Sequence, residues 1–219
     1  EHPPGDPAAA TELREELEEA HADGALVPAV AWGYCPVNGD GNDLGVWTDD
    51  DRRTERTRFT FPRQRKDRHL CIADFFRPTT SGDADYAAFH VVTMGALATE
   101  RERELFAADR YREYLLLHGL SVEMTEALAE YWHRRIREEW DFASEDGPTV
   151  QGLFRQQYRG SRYSWGYPAC PDLDDQTKVA ELLEIDRIGV SLTEEFHLVP
   201  EQSTSAIIVP HPEAKYFVI

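Results

Sequence analysis

Residues Tyr86 to Trp140, YAAFHVVTMGALATERERELFAADRYREYLLLHGLSVEMTEALAEYWHRRIREEW, decide the fold class because the side-chain rhythm changes within them. Tyr86–Val92 is aromatic, apolar and β-branched, the composition of a strand. From Ala96 onward Ala, Leu, Glu and Arg take over at helical spacing. The pattern predicts helices over Ala96–Leu117 and Ser121–Trp140, split at His118-Gly119, where glycine can take the left-handed conformation that ends a helix.

Upstream, strand-like runs cover Ala25–Tyr34, Asp43–Trp47, Thr57–Phe61 and His69–Phe75, divided by turn chemistry such as Asn38-Gly39-Asp40-Gly41 and Ser81-Gly82-Asp83. They read as an antiparallel sheet. Before them, Ala8–Ala22 carries Leu13 and Leu17 at helical spacing, with Gly24 where a C-terminal cap belongs. Downstream, a helix is expected over Thr149–Tyr158, a loop over Arg159–Asp174, a helix over Gln176–Ile185, and strands over Ser205–Val209 and Tyr216–Ile219. Helices and strands do not alternate as a parallel sheet requires, so the class is α+β. Residues 1–24 read as a linker and opening helix, and 25–219 as a single domain of a longer polypeptide, because the chain opens on Glu1 and a Pro-rich stretch.

The 219 residues are 41% hydrophobic, enough for one sizeable core. A formal net charge of −18 works against nucleic acid, whose binding relies on Lys and Arg displacing counterions. No run approaches the roughly twenty apolar residues that span a bilayer, and no secretion signal opens the chain. Cys35, Cys71 and Cys170 are odd in number and far apart, which fits a reducing cytoplasm and offers neither a disulfide framework nor a metal knuckle. Arg52, Arg53, Arg56, Arg58, Arg63, Arg65, Lys66 and Arg68 crowd one stretch, either as the solvated faces of a strand pair or as a patch that docks an acidic protein.

The segment Arg162–Asp172, RYSWGYPACPD, packs an arginine, aromatics, glycine and prolines together. Pro168 and Pro171 stiffen it and Gly166 lets backbone come close to a neighbour, which suits a preorganised binding loop. Arg162 offers a fork of donors for a carboxylate; Tyr163, Trp165 and Tyr167 offer π faces for a cation or a base. The alternative is a rigid corner whose aromatics cover the core. In the second long helix Glu126, Glu130, His133 and Arg137 share one arc, with Met124, Leu128, Trp132 and Ile136 opposite. That charged row reads either as a solvated face or as the wall of a cleft in which Glu126 and Glu130 favour a cation. His133 has no second histidine four residues away, so no zinc helix is present. Cys170 reads as buried, and Asp172, Asp174 and Asp175 as helix caps. Neither a G-x-G-x-x-G turn nor a P-loop occurs.

Four strings, Leu70–Phe75 (LCIADF), Ala129–Arg137 (AEYWHRRIR), Arg162–Asp172 and His211–Tyr216 (HPEAKY), together resemble the S-adenosylmethionine-binding activation domain of cobalamin-dependent methionine synthase. The resemblance runs in order from about Ala25 to Ile219. It implies a helmet-like domain with a twisted antiparallel sheet flanked by helices, which holds S-adenosylmethionine in a shallow groove facing cobalamin carried by a neighbouring domain of the same polypeptide. The implied activity is reductive methylation of cob(II)alamin, with an electron from a flavodoxin-like donor. Positioning does the catalytic work, with no protein side chain as nucleophile and no protein-bound metal.

By the same resemblance, Arg162 grips the ligand's carboxylate, and the backbone around Tyr163, Ser164 and Gly166 contacts the ligand. Tyr167 faces the corrin, and Glu126 and Glu130 line the groove. Ile208-Val209 stands where many relatives place an aromatic pair, so this wall acts through backbone and apolar contact. An acidic contact that relatives place upstream of the first strand is left unassigned here. Two rival readings are a stand-alone S-adenosylmethionine sensor or corrinoid-reactivation accessory protein, and an interaction protein whose groove has decayed.

Overall fold

The computed structural model describes Glu15, Glu18, Ala22 and residues 24–219. The linker and most of the helix expected over Ala8–Ala22 lie outside the described residues; Glu15, Glu18 and Ala22 are helical. The strands are β1 (Ala29–Asp40), β2 (Asp43–Trp47), β3 (Glu55–Thr60), β4 (Asp85–Thr93), β5 (Ser161–Ser164), β6 (Ser191–Leu192), β7 (Leu198–Val199) and β8 (Ser203–Val209). The α-helices are α1 (Ala96–Ala107), α2 (Tyr111–Glu139), α3 (Val150–Phe154) and α4 (Asp175–Leu183). Six strands pair antiparallel in the order β3-β2-β1-β4-β8-β5, and β6 and β7 form a separate ribbon. The fold is α+β, an antiparallel sheet flanked by helices.

Alternation along the strands gives the sheet two different faces. Ala31, Phe89, Ile207 and Tyr163 stand on one, over the main core that also takes in Val179 and Leu183 of α4. Trp32, Ala88, His90, Ile208 and Arg162 stand on the other, which α2 crosses. There Trp132 meets Trp32 edge-on at 4.7 Å, and Ile136 packs with Ala88 and Ile208. Further along α2, Ser121, Thr125 and Ala129 are buried at four-residue spacing, short enough to let the helix lie close to its neighbours.

Several boundaries differ from the sequence reading, each for a local reason. The break between the long helices falls at Ala108–Arg110, not at His118-Gly119. Asp109 takes the left-handed conformation (φ 56°), and the Arg110 amide donates to the Leu105 carbonyl at 2.9 Å, closing α1. Gly119 runs on inside α2, because burying Leu117, Leu120 and Ser121 on either side outweighs the ~1 kcal/mol a helical glycine costs.

The apolar run His69–Phe75 is not a strand but ends in a 3-10 turn, Ile72–Phe75, whose Asp74 carboxylate accepts from the Cys71 amide at 3.1 Å. This turn seats on β1 at Gly39, where a Cβ would lie 2.4 Å from the Ala73 carbonyl oxygen. The expected loop Arg159–Asp174 begins with a strand, β5, added to β8 at the sheet edge. Tyr216–Ile219 forms no strand; instead Phe217 is buried against Phe75 and Tyr163. Asp174 precedes α4 but no side-chain cap bond forms there, and Asp175 pairs with Lys178 instead.

The three cysteines are free and buried. The basic stretch is partly compensated: Arg58 pairs with Asp43 (3.3 Å) and Glu55 (2.5 Å), Arg63 with Asp74 (2.6 Å), and Arg68 with Glu213 (2.8 Å). No helix among the described residues is long and apolar enough to cross a membrane.

Candidate functional site

The β5 strand is where the Arg162 segment acquires its geometry. Gly160 (φ 83°) lets the chain pass Val209, whose carbonyl oxygen would lie 2.4 Å from any Cβ placed there. The strand then sends Arg162 and Ser164 to the α2 face and Tyr163 to the core. After Ser164 the chain makes a tight turn, with the Gly166 amide donating to the Cys170 carbonyl (3.0 Å) and the Cys170 amide to the Tyr167 carbonyl (2.9 Å). Gly166 has φ 87°, a value side-chain-bearing residues rarely adopt. The Cys170 thiol meets the Ser164 carbonyl at 2.9 Å, and burial pushes its pKa up to about 12, with Asp175 adding to the effect. The turn is thus pinned from inside, and Tyr167 at its tip is 56% exposed.

Arg162 reaches α2, where its Nη2 donates to Glu126 Oε2 at 3.0 Å. Together with Glu130, Tyr131, Gln156 and Tyr158 these residues line a cavity of about 590 Å³, within the range of small-molecule sites. Tyr131, Gln156 and Tyr158 had no distinguishing pattern in the sequence; only the packing of α2 against the segment after α3 brings them in.

Below this groove lies a polar layer. His133 and Arg137, expected on a charged face, are wholly buried. Arg137 donates from Nε and Nη2 to Asp146 at 3.0 and 2.9 Å, sits 4.2 Å over the Tyr158 ring, and lies 3.8 Å from Glu130. His133 meets Tyr158 edge-on at 5.1 Å. Burial drives the His133 pKa down to about 4, against the pull of Glu130, so the ring is neutral at pH 7. Burial disfavours the Glu130 carboxylate, but His133, Arg137 and Arg162 together hold its pKa below the ordinary value. Burial likewise raises Tyr158 to about 12 and holds His90, on β4 beneath, far below its usual value. Several buried polar atoms here have no hydrogen-bond partner: Arg162 Nη1, Glu130 Oε1, Ser161 Oγ, and both ring nitrogens of His90 and of His133.

The remaining sequence-derived residues fall into three positions. Ser164 is half-buried beside Arg162, and Gly166 and Tyr167 form the outer turn. Tyr163 offers no π face, since its ring is 1% exposed in the core and its hydroxyl donates to the Lys215 carbonyl at 2.9 Å. Trp165 is likewise packed, between Phe59 and Phe89. Ile208 and Val209 are buried and do not line the cavity; β8 is an interior strand, with Ile208 held between Ala88 and Arg162. Ile208 packs against Ile136 of α2, and Val209 lies in the main core. Among the described residues no group of three or more His, Cys, Asp or Glu is placed to hold a metal ion.

The fold is of the α+β class, and Arg162, Glu126 and Glu130 line a cavity of about 590 Å³ between α2 and the segments that follow it. The chain belongs to the family described as the vitamin B12 dependent methionine synthase activation domain, whose model matches residues 9–219. It is 49% identical over 217 residues to the methionine synthase of Mycobacterium tuberculosis (strain ATCC 25618 / H37Rv), covering 94% of this chain and 18% of that protein. It is 46% identical over 217 residues to that of Mycobacterium leprae (strain TN), with the same coverage of 94% and 18%. The chain thus spans about a fifth of the length of these relatives. A crystal structure of the MetH reactivation domain bound to AdoHcy superposes with a TM-score of 0.88 at 31% identity, covering 95% of this chain and 66% of that one.

Proposed function

We propose that the groove between α2 and β5 binds S-adenosylmethionine, and that residues 25–219 act in the cytoplasm as the reactivation module of a cobalamin-dependent methionine synthase. In that role the module supports reductive methylation of cobalamin carried by a neighbouring domain of the same polypeptide, with electrons from a flavodoxin-like donor. The observation that carries this reading is Arg162, a half-buried guanidinium with Nη2 on Glu126 and Nη1 without a hydrogen-bond partner, lining a cavity of about 590 Å³. The similarity to a reactivation domain bound to AdoHcy, the compound S-adenosylmethionine becomes on losing its methyl, points the same way.

Each residue then has a physical task. Arg162 takes the ligand's carboxylate, while Glu126 and Glu130 give the cationic end a favourable potential. The backbone around Ser164 and Gly166, next along the chain from Arg162, contacts the ligand. Tyr163 and Val209 anchor β5 and β8 to the main core, and Ile208 packs β8 against α2. Tyr167, the exposed aromatic of a rigid turn, fits the face of a corrin brought up by the neighbouring domain. When bound, the cobalamin supplies the metal that accepts the methyl group, and this chain contributes position, holding the methyl in line.

Isothermal calorimetry with S-adenosylmethionine tests the reading. Saturable binding is expected, with Arg162→Ala weakening it at least tenfold, the effect of losing a charged hydrogen bond. Absence of heat at millimolar ligand, or an Arg162→Ala variant that binds and reactivates the full-length enzyme normally, defeats it.

A further inference from the structure

An arginine fork is shaped for two parallel bonds to one carboxylate. Glu126 supplies a single bond, at 3.0 Å to Nη2, and Nη1 beside it is buried without a partner. The two ends of this contact are unequal: the Glu126 side chain is 53% exposed and that of Arg162 only 17%. The acid is therefore free to swing outward while the guanidinium stays. On the next turn of α2, Glu130 lines the same cavity, with its Oε1 turned inward 3.8 Å from Arg137.

We propose that the Arg162–Glu126 ion pair is a latch on the groove, opened when a ligand's α-carboxylate takes Arg162 while the α-ammonium of the same ligand takes Glu126. This rests on the S-adenosylmethionine reading above. The exchange balances charge: one ion pair is opened, two are formed, and no charged group is left alone. A carboxylate without the ammonium cannot complete it, since Glu126 would be displaced with nothing to pair with, beside the like charge of Glu130. Glu126 thus makes the site selective for an amino-acid zwitterion over a simple acid.

Calorimetry of the full chain with two ligands tests this: AdoHcy, and the AdoHcy analogue in which hydrogen replaces the α-amino group. Neither carries a sulfonium, so charge on sulfur does not enter. Wild type is expected to prefer AdoHcy by about tenfold, the scale of one charged hydrogen bond. Glu126→Gln should shrink that preference to about twofold, chiefly by binding the des-amino analogue roughly two- to fivefold tighter, the range of an exposed ion pair.

Glu126→Asp keeps the charge but is one methylene too short for the 3.0 Å contact, so it should bind the analogue as tightly as the Gln variant does. An Asp variant that matches wild type while Gln alone tightens would show bulk repulsion, and a preference unchanged in both variants would show a bystander; either overturns the latch. The underlying reading fails separately. Wild type giving no saturable heat with AdoHcy, or Arg162→Ala binding it undiminished, removes the site and the latch with it.

Discussion

Replacing Arg137 by methionine removes the cation that organises the floor of the groove. Its guanidinium is wholly buried, donates two bonds to Asp146, and covers one face of Tyr158. Methionine keeps much of the length and volume, so cavity formation is a minor term. The dominant effect is electrostatic: the Asp146 side chain, 11% exposed, would be left charged without its partner. Breaking one side of a buried pair costs about 3–5 kcal/mol. For a domain of 150–250 residues each kcal/mol moves Tm by roughly 2–4 °C, so a fall of about 6–20 °C is expected. Thermal unfolding followed by circular dichroism measures the fall in Tm, and urea unfolding the loss in free energy. Adding Asp146→Asn should restore much of the loss, because the uncompensated charge disappears. A single variant within about 1 kcal/mol of wild type, or a double variant whose losses simply add, would refute the reasoning.

Other consequences follow from single observations. Gly160→Ala places a Cβ 2.4 Å from the Val209 carbonyl at φ 83°, so it should cost about 3 kcal/mol or more and loosen β5, lowering affinity for AdoHcy; an unaltered melting curve contradicts this. His133 titrates near 4 in the folded chain against about 6.5 unfolded, so the unfolded state takes up the proton first as pH falls. Stability should therefore be full above about pH 6.5 and decline toward pH 4 by about 3 kcal/mol, with His90 acting in the same direction. His133→Leu should flatten that slope, and an equally steep profile in the variant would remove the histidine as its cause. Cys35, Cys71 and Cys170 are buried with thiol pKa values raised mainly by burial, so a thiol reagent at pH 8 should label none in the native protein and all three in denaturant; rapid native labelling of any one tells against the packing described.

How much of this was legible in the sequence depended on whether a signal was local. The strands at Asp43–Trp47 and Tyr86–Val92 could be read because strand-like composition and flanking turn residues are local to the segment. The strand at Ser161–Ser164 could not, since its reason for existing is the free edge of β8, forty residues further on. His69–Phe75 misled for a related cause: an apolar run says that a segment is buried, and only Asp74 and the Gly39 contact decide that it is buried as a turn. The helix break went the same way, with the visible glycine passed over for an aspartate able to adopt the same left-handed geometry.

The site shows the sharper limit. Helical spacing correctly placed Glu126, Glu130, His133 and Arg137 along one side of α2, but periodicity reports direction and is silent about what lies in that direction. The bland expectation for a charged row is water. Here the row descends from solvent into the sheet: Glu126 is exposed, Glu130 half-buried, and His133 and Arg137 wholly buried. A charged row that turns inward needs counter-groups on the facing element, and β5 supplies Arg162 while the segment after α2 supplies Asp146. Those counter-groups leave Arg162 Nη1 and His133 Nε2 without a hydrogen bond, and hold Glu130 Oε1 and His133 Nδ1 only through contacts of 3.8 and 3.9 Å. An apolar interface between α2 and the sheet would be simpler and at least as stable. The charged ligand proposed above would supply hydrogen bonds that these buried polar atoms lack.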